Sequence, residues 1–257
     1  MSGPGRHDGR GRLGNTLSNL AVAVGCVLFL GGFAWGAVVY KPYTVPTDSM
    51  APTVNAGDRV LAERVDGGDV RRGDVVVFTD STWGDVPMVK RVVGVGGDKV
   101  ACCDKDGRLT VNGEPVEEPY LRAEGASSPT SADGGSPASP QDFTADVPEG
   151  QLFLLGDERS TSLDSRVHLG DPGQGSVPRS AVQARVDAVA WPMDGMIGRP
   201  QAFAAMPGGV SSEGPLPSQA GALVVGVVLI LGGAAYGPLA ARSARSGRQQ
   251  KVSTDAH

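Results

Sequence analysis

The chain has 257 residues, 40% hydrophobic and 20% charged, with a formal net charge of −5. That acidic balance argues against nucleic acid as a partner, because phosphate binding needs a basic face. Thirty-eight glycines and 19 prolines imply many turns and irregular segments, and three cysteines without a C-x-x-C pair argue against a zinc site.

Residues 1–19 form a tail carrying Arg6, Arg10 and Arg12. The next stretch, LAVAVGCVLFLGGFAWGAVVY over 20–40, has no charge and includes Cys26, a small hydrophobe in this setting. About twenty helical residues at roughly 1.5 Å each match a hydrocarbon core of about 30 Å. The run leads into YKPYTVP, which offers no small-x-small cleavage site, so a retained span is expected rather than a removed leader. Residues 44–54, TVPTDSMAPTV, follow at once, with Ser49 between Pro46 and Pro52. A linker or a positioned nucleophile are the two readings of that stretch.

Strand signals then dominate. DRVLAERV (58–65), DVVVFTD (74–80), VPMVKRVVGV (86–95), GQLFLLGD (150–157) and AVQARVDAVAWP (181–192) are short, β-branched or apolar runs bounded by turn residues. RLTVNGEPV (108–116) carries Asn-Gly, a hairpin signal. The adjacent Cys102 and Cys103 leave a vicinal disulfide or two thiols open. Residues 123–142 are rich in Ser, Pro, Gly and Ala and read as a mobile surface insertion. The expected result is a mainly β domain over 41–210.

A tether over 211–219 leads into a second uncharged run over 220–241, with Pro238 near its end. It is expected to span the membrane, the alternative being a greasy helix packed on a soluble core. A basic tail over 242–257 follows, with Arg242, Arg245, Arg248 and Lys251. Positive flanks favour the cytoplasm, so both ends are expected inside and 41–219 outside, in a two-pass protein of the plasma membrane.

Ser49 needs a base, since a serine hydroxyl is a weak nucleophile alone. Of three histidines, His7 and His257 lie in the tails, which leaves only His168 for a Ser-His-Asp arrangement. Lysine is the other option, provided burial keeps it neutral. In the strand around Lys90, a period of two puts Met88, Lys90 and Val92 on one apolar face and Arg91 on the other. An exposed lysine on an edge strand is the plainer reading of the same residues.

Four segments in order, PTDSMAPTV (46–54), GDRVLAERV (57–65), KRVVGVGGDKV (90–100) and GDERSTSLDSR (156–166), resemble the conserved boxes of type I signal peptidases. These are membrane-bound Ser-Lys endopeptidases that remove signal peptides, and the resemblance covers roughly residues 40–195. It implies a β catalytic domain flanked here by two transmembrane helices. It implies Ser49 as nucleophile and Lys90 as general base. Thr47, with the Ser49 backbone N–H, would form the oxyanion hole. Ser162 would orient the lysine, Asp164 and Arg166 would support the site, and Met50 would line the cleft. Expected substrates are preproteins bearing signal peptides, cut after small residues as in A-x-A, with the lipid bilayer and the secretion translocon as partners. No metal or organic cofactor is implied.

Three residues depart from the family pattern: Asp48 stands where Gly is frequent, Gly96 where Pro is common, and Glu158 where Asn is usual. Asp48 is expected to point away from Lys90, because adjacent strand residues face opposite ways. Two alternatives stay open. One is a catalytically silent, membrane-anchored β domain that binds exported chains. The other is a Ser-Lys self-processing protease, for which QAFAAMP (201–207) is a small-residue stretch near the outer face.

Overall fold

The structure is a computed structural model and describes residues 9–121 and 137–254. Most of the insertion expected over 123–142 and the extreme ends of both tails lie outside the described residues. The chain divides into two units, a pair of terminal helices and a β unit over Val39–Gly214.

The helical unit contains α1 (Gly9–Val39) and α3 (Leu216–Thr254), and the short α2 (Gln201–Ala204) belongs to the β unit. Within them, Gly14–Val39 and Leu216–Pro238 are long and apolar enough to cross a membrane, with mean hydropathies of 2.2 and 2.0. Both helices run beyond the spans read from sequence, and α3 already includes part of the expected tether. Small residues let the two approach closely. A side chain on Gly25 would meet the Gly226 carbonyl at 2.7 Å, and Ser18 Oγ donates to the Gly233 carbonyl at 2.6 Å. The outward faces remain apolar, with Val27, Leu30, Phe33, Val228 and Leu231 all exposed. A soluble core helix would bury such a face.

Among its described residues the β unit holds twelve strands in chain order: β1 (Tyr40–Thr44), β2 (Arg59–Glu63), β3 (Val75–Phe78), β4 (Met88–Val95), β5 (Lys99–Cys102), β6 (Thr110–Val111), β7 (Glu114–Pro115), β8 (Phe143–Asp146), β9 (Gln151–Leu155), β10 (Val177–Pro178), β11 (Val182–Trp191) and β12 (Gly195–Met196). A larger sheet runs β1-β2-β11-β3-β4-β9-β10, with β12 paired to β11. A smaller one runs β7-β6-β5-β8. Every pairing is antiparallel. The Asn-Gly signal forms the β6–β7 hairpin, with Asn112 at φ 56° and Gly113 at φ 85°, as such a tight turn requires.

The continuous apolar runs arise because β3, β4 and β9 are covered on both faces. Val75 and Val77 pack in one cluster with Val60, Ala62 and Val186, whereas Val76 and Phe78 pack in another with Val92, Leu152 and Leu154. Alternate residues of β4 and β9, namely Val93, Phe153 and Leu155, join Val100, Val111 and Phe143 of the smaller sheet in a third cluster. Cys102 sits in that third cluster and is joined to Cys103 by a disulfide. Five strands went unread from sequence: β1, β5, β8, β10 and β12. Strand β1 begins at Tyr40, which the apolar run had placed in the membrane. Tyr40 is instead buried in the β unit, where its hydroxyl donates to Asp187 Oδ2 at 2.9 Å. Residues 137–142, the end of the segment expected to be mobile, are partly packed, with Ala138 and Ser139 buried.

Candidate active site

Ser49 lies in the turn that follows β1. The residues after it fold back, so that Met50 and Val54 form an isolated antiparallel bridge closed by Val54 N–H to Met50 C=O at 2.9 Å. Met50 anchors the turn from below. It is fully buried among Val45, Val54, Val75 and Val77, so it is part of the core rather than an open cleft wall. The Ser49 carbonyl accepts from the Glu158 N–H at 3.2 Å, which ties the turn to the segment after β9.

Lys90 comes from the third residue of β4, opposite Val76 of β3. Its neighbours Met88 and Val92 pack in one cluster and Val89 in another, as the strand period requires. The side chain is 5% exposed, and Lys90 Nζ lies 2.6 Å from Ser49 Oγ. Burial pushes the Lys90 ammonium down from an ordinary 10.5 to about 8. The carboxylates of Asp164 and Asp157 pull it back up, and the Arg166 guanidinium pushes it down again. Desolvation wins because loss of water outweighs carboxylates whose charge is already matched by arginines.

Thr47 Oγ1 is 3.3 Å from Ser49 Oγ, on the exposed side of the turn. Asp48 is exposed and its Oδ1 accepts from the Ala56 N–H at 2.8 Å. Its charge does not figure among those acting on Lys90. Asp164 is fully buried and grips Arg166 through two bonds, Nε to Oδ1 at 2.8 Å and Nη2 to Oδ2 at 2.7 Å. Its Oδ2 also accepts from the Gly156 N–H at 3.0 Å, which orients the loop beneath Ser49. Ser162 is buried nearby, but the expected hydrogen bond to Lys90 is not formed. Ser162 Oγ has no hydrogen-bond partner among the described residues. It faces Gly156, where an added Cβ would lie 2.1 Å from Ser162 Oγ and 2.4 Å from the Ser49 carbonyl. Only glycine fits that contact.

His168 is occupied elsewhere. Its Nδ1 is 2.9 Å from Asp171 Oδ2, and its ring stacks on Trp83 at 4.7 Å between centroids. No hydrogen bond joins it to Ser49, so lysine is the only base in contact with the hydroxyl among the described residues. Within those residues no group of three or more His, Cys, Asp or Glu could hold a metal ion.

The sequence reading missed the ion pair behind the lysine. Arg91 is 1% exposed and binds Asp157 by Nε to Oδ1 at 2.9 Å and Nη2 to Oδ2 at 2.7 Å. Thr53 Oγ1 donates to the same carboxylate at 2.6 Å, and the guanidinium lies 4.0 Å from the centre of the Tyr120 ring. Beside it, Arg159 is clamped by Glu118 at 2.8 and 2.6 Å. Adjacent Lys-Arg and Gly-Asp dipeptides in the third and fourth boxes were the available signal. Which carboxylate meets which cation is not encoded locally.

Residues 15–191 match the family model described as signal peptidase, peptidase S26. The chain is 33% identical over 204 residues to a protein of Mycobacterium leprae named "Probable signal peptidase I", covering 60% of this chain and 69% of that one. It is 36% identical over 145 residues to "Signal peptidase I U" of Bacillus subtilis, covering 54% and 72%. A crystal structure of a signal peptidase I from Enterococcus faecalis is 30% identical, spans 45% of this chain and 94% of that one, and superposes with a TM-score of 0.35. A mainly β unit with two membrane-length helices, and a family match extending from the first helix to the end of β11, lead to one conclusion: the chain belongs to the signal peptidase family, peptidase S26.

Proposed function

We propose that the chain is a membrane-bound serine endopeptidase that removes amino-terminal signal peptides from exported preproteins through a Ser49–Lys90 dyad. The observation that carries the reading is a buried lysine amine 2.6 Å from a serine hydroxyl, with its pKa lowered to about 8. A lysine in water would be almost wholly protonated at neutral pH and useless as a base.

Neutral Lys90 accepts the Ser49 proton as Oγ attacks the scissile carbonyl. Thr47 Oγ1 and the Ser49 N–H donate to the developing oxyanion, each such donor being worth about 3 kcal/mol. The tetrahedral intermediate collapses, protonated Lys90 returns its proton to the leaving amine, and the mature chain departs. Lys90 then deprotonates a water, which hydrolyses the Ser49 ester and frees the signal peptide. Asp164 and Arg166 hold the loop against Ser49, and Ser162 orients the lysine when substrate is bound. Met50 supports the nucleophile from the core. Apolar residues near Ser49 would favour small residues at the first and third positions before the cut, as in A-x-A.

The two apolar helices and their basic flanks support a two-pass topology. The β unit then lies on the extracytoplasmic face of the plasma membrane, where chains leave the translocon. The test is cleavage of an A-x-A preprotein in detergent by wild type, Ser49→Ala and Lys90→Ala. Cleavage by wild type alone is expected. Unchanged cleavage by either variant overturns that residue's role, and a folded but inactive wild type turns the reading toward a silent binding domain.

A further inference from the structure

A groove of about 360 Å³ opens beside the residues that follow the nucleophile, between Ala51 and Pro52 on one side and Leu121, Pro140, Glu158 and Ser160 on the others. It borders the candidate active site: Ala51 follows the nucleophile by two residues, and the Glu158 N–H donates to the Ser49 carbonyl. Its charges are unevenly matched. Asp157 is neutralised by Arg91, and Arg159 by Glu118. Glu158 is half-buried, and its Oε1 accepts only neutral donors, the Ser160 hydroxyl and the Ser160 N–H at 3.3 Å. No cation pairs with it among the described residues. One uncompensated carboxylate therefore borders the groove, a single backbone hydrogen bond away from the nucleophile.

From this geometry we infer that the groove holds the first residues of the mature chain, and that Glu158 selects there for a positive side chain and against a negative one. The inference rests on the peptidase reading above. In that reaction the apolar signal peptide stays esterified to Ser49, while the mature chain leaves on the other side of the cut. A groove edged by prolines and charged residues suits a polar extended chain better than the small apolar residues that precede the cut. Glu158 also stands where the family box usually has Asn, so the selectivity belongs to this chain rather than to the family.

The experiment uses the full chain in detergent at low ionic strength. The substrates are preproteins carrying Ala, Lys or Glu at each of the first three mature positions, and at the fourth and fifth positions before the cut. The expected result is a kcat/KM about fivefold or more higher for Lys than for Glu at one or more mature positions. That ratio should shrink as salt is raised, because the carboxylate is partly exposed. Glu158→Gln should bring it close to one, and Glu158→Lys should invert it. The salt series on wild type decides the matter even if a variant folds poorly. Equal rates for Lys and Glu substrates, a ratio that survives Glu158→Gln, or a preference confined to positions before the cut would each overturn the inference while leaving the peptidase reading intact. Failure to cut the Ala substrate would instead overturn the peptidase reading, and this inference with it.

Discussion

Replacing Lys90 by Met is expected to make the folded chain more stable while abolishing cleavage. The amine is buried with its pKa lowered from 10.5 to about 8, so at neutral pH the folded state holds a proton under strain. Each tenfold difference in proton affinity between folded and unfolded states corresponds to about 1.4 kcal/mol, which makes the cost of the charged lysine roughly 3 kcal/mol near pH 7. The sign follows from proton counting. The unfolded chain binds more protons between the two pKa values, so wild-type stability rises with pH from about 8 to 10.5 and its disadvantage fades there. Near pH 9.5 the cost has dropped to about 1 kcal/mol. Met has a similar length and no charge, and loses only the contact with Ser49, worth about 1 kcal/mol. The net gain near pH 7 is then about 2 kcal/mol, or several degrees in Tm for a unit of this size. Near pH 9.5 it should vanish. The assay is thermal unfolding of the full chain in detergent, followed by near-ultraviolet circular dichroism at both pH values. A Tm difference that is the same at the two pH values would refute the claim that burial strains this lysine.

The same lowered pKa predicts the pH profile of cleavage. With the base needed neutral, kcat/KM should climb about tenfold per pH unit and level off above about 8; an inflection near 10.5 would mean an unstrained lysine. Asp157→Ala leaves the Arg91 guanidinium buried without its carboxylate and should cost about 3–5 kcal/mol, visible as a large fall in Tm. A loss under 1 kcal/mol would show that water reaches Arg91 freely. Gly156→Ala puts a methyl group against Ser162 and the Ser49 carbonyl, and the carbonyl cannot yield without shifting the nucleophile. Cleavage should fall about a hundredfold with the β unit still folded by circular dichroism, and retained activity would mean that the turn tolerates displacement.

Local patterns settled a good deal on their own. Apolar length marked both helices, because a span has to match a fixed hydrocarbon thickness whatever surrounds it. The Asn-Gly hairpin and the runs of β3, β4, β9 and β11 were legible for the same kind of reason, as turn chemistry and β-branched runs are local preferences. The order of Ser49, Lys90 and the Gly-Asp box pointed to the proposed reacting groups through resemblance to a family. Other features had no such signal. Strand β1 was hidden because Tyr40 reads as the end of an apolar run, and only its pairing with β2 and its bond to Asp187 place it in the β unit. Strand β8 is only four residues long, directly follows a low-complexity stretch and gains its order from β5. The depth of Lys90, the unpartnered hydroxyl of Ser162 and the burial of Met50 depend on residues distant in sequence, and the pairing of Arg91 with Asp157 joins residues 66 positions apart. Sequence determines which groups are available. Whether a lysine is dry enough to act as a base depends on what long-range strand pairing brings around it, and that was decided by the tertiary structure alone.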